Sequence, residues 1–177
     1  MRALIPGRIL AVDIRPRRFG YTLFEMPDKV LDCGVSEFRS PQDGILCVTS
    51  LAESLEATTI VLRKLDAHSR RNRPRTRRLK HLLWLSARQS SIRVVFVTEK
   101  ELKARLGDWE VKNKDEMAAL LAREFPVLAW KLPRDRKPWQ TEQWNMPIFD
   151  AAALGLVFIT SQPSPDSSPG NEAAGLT

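Results

Sequence analysis

The stretch ILAVDIRPRRFGYTLFE, residues 9–25, sets the tightest limit on how this chain can fold. Two apolar runs, residues 8–14 and 19–25, are parted by a short turn that carries Arg15, Arg17 and Arg18. That pattern predicts two strands joined as a hairpin. Asp13 stands inside the first run, between Val12 and Ile14. A carboxylate in a central strand is costly unless a cation or hydrogen-bond donors meet it. Asp13 is therefore either a site carboxylate or one half of a structural ion pair.

The elements after the hairpin fix the fold class. Residues 30–38 alternate loosely and predict a third strand, and Gln42 to Ala57 carries apolar residues at helical spacing. TTIVLRKL, residues 58–65, is β-branched and apolar, as a central strand requires. A helix is expected from Arg75, with Leu79, Leu82, Leu83, Leu85 and Ala87 on its apolar side. IRVVFVT, residues 92–98, reads as a strand, and Thr98 as the cap of the helix EKELKARLG, which Gly107 stops. Residues 112–125 form a further helix, and 126–147 read as irregular. In that segment Trp139 and Trp144 either pack on the core or stack on bases. IFDAAALGLVFIT, residues 148–160, is a last helix, where Asp150 is either a site acid or an acid favoured by the helix N-terminus. Residues 1–160 thus read as one α/β domain with a mixed sheet, and 161–177 as a disordered Ser/Pro/Gly-rich tail.

Charge narrows the partners. The net charge is +7, yet the window from Arg63 to Lys80 holds nine Lys or Arg and one acid, Asp66. The rest of the chain is close to neutral. Such a patch is the footprint of a polyanion, usually nucleic acid. The other readings are a solvated loop and a dock for an acidic protein. The expected phosphate contacts are Arg15, Arg17, Arg18, Arg63, Arg70, Arg71, Arg73, Arg75, Arg77, Arg78 and Lys80, because guanidinium forks suit phosphate. Cys33 and Cys47 have no metal-ligand spacing and read as thiols in a reducing compartment. His68 and His81 read as loop or surface residues. The absence of a long apolar run or an apolar leader at the N-terminus leads to the expectation of a cytoplasmic protein.

Taken in order, these stretches resemble the RuvC and YqgF-type branch of the ribonuclease H-like superfamily. Those proteins begin with a strand ending in a catalytic Asp and a Gly-aromatic return strand, here ILAVDIRPRRFGYTLFE. They continue with an apolar strand, a basic loop and a helix, here TTIVLRKLDAHSRRNRPRTRRLKHLLWL. A strand running straight into a helix (IRVVFVTEKELKARL), a helix start (KNKDEM) and a last helix with Asp (IFDAAALGLVF) complete the likeness over residues 8–160. It implies a mixed five-stranded sheet flanked by helices and a metal-dependent endonuclease acting on structured or branched DNA. It also implies DNA or RNA as partner, a homodimer, and Mg²⁺ or Mn²⁺ held by Asp13 and Asp150.

The departures from the family pattern lie at the acids. Arg63 stands where the likeness puts the strand-end Glu. Depending on alignment, Pro147 or Ala153 replaces a further acid, so Asp13 and Asp150 alone remain of the family's four. Asp66 and Glu142 are the candidate substitutes, while Glu99 reads as a helix-start acid. Two-metal hydrolysis needs clustered carboxylates to hold both ions. A guanidinium about 4 Å from a divalent ion is repelled by on the order of 8 kcal/mol at an effective dielectric of about 20. Two functions follow: an endonuclease with a reduced acidic site, or a catalytically inactive module that binds nucleic acid or docks a protein.

Overall fold

A computed structural model describes residues 7–64, 73–134 and 141–162. Arg8–Ile14 (β1) and Arg18–Glu25 (β2) pair antiparallel, with Asp13 opposite Gly20. Lys29–Glu37 (β3) extends the meander on the far side of β2. Pro41–Ser54 (α1) crosses to Ala57–Lys64 (β4), which runs parallel to β1. Pro74–Gln89 (α2) crosses to Arg93–Thr98 (β5), parallel to β4. The sheet order is therefore β3-β2-β1-β4-β5. Glu99–Asp108 (α3), Lys114–Glu124 (α4), the short Pro126–Ala129 (α5) and Met146–Ser161 (α6) follow. The expected mixed five-stranded sheet with flanking helices is the fold.

Strand alternation sorts the side chains between two cores. Leu10, Val12, Ile60 and Leu62 pack with Val48, Ala52, Leu79 and Leu83 of α1 and α2. Ile9, Ala11, Val61 and Val97 pack with Met117, Leu121, Phe149 and Ala152 of α4 and α6. Val12 lies beside Leu62 in the parallel register. The next residues along each strand, Asp13 and Arg63, therefore both turn toward α6.

Two local features set where α6 lies. Its first turn starts at Met146 with Pro147 beside it, two residues before the expected start, so Asp150 is a full turn inside the helix. A proline suits this position because its missing N–H has no intrahelical partner there. The same turn rests on Gly20. A Cβ at Gly20 would lie 2.2 Å from the Pro147 carbonyl carbon. Only glycine allows that approach, and Thr22 Oγ1 fixes it by donating to the Ile148 carbonyl at 3.1 Å.

Elsewhere Thr98 caps α3 as expected, in a reciprocal capping box with Glu101. A short helix, α5, forms within the segment read as irregular, with Pro126 in its first turn. No helix among the described residues is long and apolar enough to cross a membrane. Asp66, His68, Arg70, Arg71, Trp139 and the tail beyond residue 162 lie outside the described residues.

Candidate functional site

Asp13 near the end of β1 and Asp150 on α6 are both buried, with side chains 5% and 2% exposed. The guanidinium of Arg15 lies between them. Its Nε donates to Asp13 Oδ2 at 2.6 Å, its Nη1 to Glu142 Oε2 at 2.6 Å and its Nη2 to Asp150 Oδ2 at 2.5 Å. One planar group thus binds three carboxylates, from β1, from the segment before α6 and from α6 itself. The turn makes this possible: the Arg15 backbone N–H donates to the Arg18 carbonyl at 2.8 Å, closing the hairpin tightly.

Two further cations complete the cluster. Lys114, at the start of α4, donates to Glu142 and, at 2.9 Å, to Asp150 Oδ2. Arg63 lies 3.6 Å from Asp150, 3.6 Å from Glu99 and 4.0 Å from Asp13. Those are ionic contacts without hydrogen bonds, and the buried Arg63 Nε has no hydrogen-bond partner. Among the described residues, four carboxylates therefore face three cationic side chains.

The pKa values follow from this packing. Burial alone would lower that of Arg15. The charges of Asp13 and Asp150, with hydrogen bonds to Glu142 and Asp13, outweigh it and raise the value. For Glu142 burial pushes upward, but the hydrogen bonds and charges of Lys114 and Arg15 win and hold it at about 2, against an ordinary 4.5. A carboxylate depressed on folding adds stability that is fully present above its unfolded pKa and lost as pH falls through its folded one. The melting-temperature gap between the natural protein and Glu142→Gln should therefore be widest above about pH 4.5 and close as pH approaches about 2. A gap that stays constant across this range would show that Glu142 is not ion-paired.

The cluster does not fit a pair of divalent ions. Such ions need carboxylate lone pairs aimed at them from about 2.0–2.1 Å. Here Asp13 Oδ2, Asp150 Oδ2 and both Glu142 oxygens accept from Arg15 or Lys114. Among the described residues, no group of three His, Cys, Asp or Glu is placed to share a metal.

The remaining expected residues divide into two sets. Arg15 was expected to hold a phosphate backbone, but its guanidinium is turned inward, because the acids around it compete for it at hydrogen-bond distance. Arg63 is buried on the same side, 6% exposed, and does not reach the surface as a phosphate contact. Arg17, Arg73, Arg75, Arg77 and Arg78 are exposed. Arg75 donates to the Arg39 carbonyl at 2.6 Å, and half-buried Lys80 to the Arg63 carbonyl at 2.6 Å. Arg18 lies over the half-exposed Trp144 ring at 4.5 Å. Glu142 folds back into the cluster, and Glu99 both starts α3 and faces Arg63. The sequence held a signal for Arg15: two residues beyond Asp13, strand alternation keeps both on one face. Lys114 falls in KNKDEM, the helix start that the likeness marks, but nothing local tied it to the acids.

The chain shares its fold with solved structures of RuvC and of Holliday junction resolvases. RuvC of Thermus thermophilus superposes with a TM-score of 0.60 at 13% identity, over 85% of this chain and 92% of that one. The yeast mitochondrial Holliday junction resolvase gives 0.59 at 13% identity, over 87% and 79%. The fowlpox virus Holliday junction resolvase gives 0.58 at 14% identity, over 88% and 99%. No protein-family model and no curated protein matches the sequence.

Proposed function

We propose that this protein binds branched or otherwise structured nucleic acid, DNA in the first instance, and holds it without cutting it. The observation that carries this reading is the Arg15 guanidinium bound at once to Asp13, Glu142 and Asp150. Three cations stand among the carboxylates where a nuclease of this fold would need metal ions, so the acids serve the fold.

The binding half rests on α2. Arg73 is its N-cap, no side chain caps it, and no acid lies in its first turn. Arg75, Arg77 and Arg78 follow at once. Cations at a helix N-terminus oppose the macrodipole by roughly 0.3–1 kcal/mol each. A stability role does not explain four of them there, whereas the summed positive field suits phosphate. Among the neighbours, the Thermus thermophilus and fowlpox virus resolvases are described in complex with Holliday junction DNA.

The test pairs binding with cleavage on a labelled four-way junction, in Mg²⁺ and in Mn²⁺. The junction should be shifted on a native gel and recovered intact on a denaturing one. Cleavage that disappears in Asp13→Asn would overturn the reading in favour of an active endonuclease. Absence of any shift at low salt would leave the protein-docking alternative.

A further inference from the structure

A cavity of about 310 Å³ opens on the α2 side of the sheet, at the C-terminal ends of β4 and β5. The carboxylate cluster lies on the other face of the sheet, and Arg63, which pairs with it, also borders the cavity. Arg63, Lys64, Arg77, Lys80, His81, Trp84 and Phe96 line it. Its floor is aromatic. Phe96 projects from β5 toward α2 and remains 37% exposed, although both its strand neighbours, Val95 and Val97, pack in the opposite core. The Trp84 indole is steadied by its own helix. The His81 ring lies 6.2 Å from it at 25°, and the Arg88 guanidinium 4.9 Å from its centroid. The rim is cationic, and none of the seven lining residues is acidic.

An apolar floor of fixed rings beneath a rim of Lys and Arg matches a ligand that is flat and aromatic at one end and anionic at the other. A nucleotide is that ligand. We propose that this cavity receives one unpaired nucleotide of a bound strand, its base against Phe96 and Trp84 and its phosphate at Lys64 and Arg77. This rests on the nucleic-acid reading above and adds to it a preference for strands with an unstacked base. Arg77 joins the cavity to the arginines at the start of α2, so a backbone following them passes its mouth.

Stacking of one base on an aromatic side chain changes affinity by about tenfold or more when the ring is removed. The experiment measures binding of labelled oligothymidylate and of a blunt duplex of equal length to the full chain. Trp84→Ala and Phe96→Ala should each weaken the single strand about tenfold and leave the duplex affinity and its salt dependence unchanged. Phe96 is partly exposed on an edge strand, so its variant keeps the test valid if Trp84→Ala melts early. Single-strand binding indifferent to both variants, or an equal loss on the duplex, overturns the cavity assignment and leaves the nucleic-acid reading intact. Tight binding of free AMP that is lost in Trp84→Ala assigns the cavity to free nucleotides and overturns the strand proposal. Failure of the natural protein to bind either DNA form overturns both.

Discussion

Arg15→Ala should destabilise the protein by about 3–5 kcal/mol, the scale of removing one partner from a buried ion pair. Asp13 and Asp150 are almost fully buried, and Arg15 supplies a direct hydrogen bond to each. Without it, Arg63 remains only at 3.6–4.0 Å and Lys114 only on the Asp150 side. For a domain of this size the melting temperature should fall by on the order of ten degrees. Arg15→Ala should also turn the protein into one that responds to metal. Its freed carboxylates would gain from Mn²⁺ by RT ln(1 + [L]/Kd), about 2.7 kcal/mol at a hundredfold excess. The natural protein should melt at the same temperature in Mn²⁺ and in EDTA. A natural protein that gains several degrees from Mn²⁺ would place a metal where the guanidinium lies and revive the nuclease reading.

How much of this could be read in advance depended on how local each determinant was. The sheet was legible because β1, β2 and β4 carry dense apolar runs with one strong period. Asp13 was conspicuous because a single carboxylate in such a run violates its surroundings. Arg63 was marked by the likeness, which puts an acid at its position. Glu142 was harder, since it lies in an irregular segment whose return to the sheet depends on Pro147 settling on Gly20. Lys114 and Glu99 sit at helix starts, where charged residues are common for local reasons, so their convergence on the cluster had no local mark. Arg15 was misdirected by its company: beside Arg17 and Arg18 it reads as one of three solvent-facing arginines. The chain direction after Ile14 decides that it faces inward.

Replacing Arg73, Arg75, Arg77 and Arg78 together with glutamine should abolish most nucleic-acid binding. If each meets a phosphate, four counterion releases are lost, and affinity at about 0.1 M salt should drop by on the order of a thousandfold. The log–log salt slope should become shallower by roughly 3 to 4. Their side chains are solvent-facing at the start of α2, so the fold should survive and the variant should melt no lower than the natural protein. The loss should be uniform across base sequences, because phosphate contacts carry no sequence information. An unchanged affinity would move the binding surface elsewhere.

The short distance along the chain between Asp13 and Arg15 has a consequence for how the cluster meets its surroundings. A bound ion is exchanged with a reservoir: it can be chelated, diluted or replaced by a competitor. A counter-charge fixed two residues away on the same backbone has no reservoir, and its local concentration is set by chain geometry alone. If the guanidinium holds the cluster as proposed, its occupancy would be the same in magnesium-rich and magnesium-starved surroundings. The positive charge that faces Asp13 in this fold is one the chain carries from the moment of synthesis.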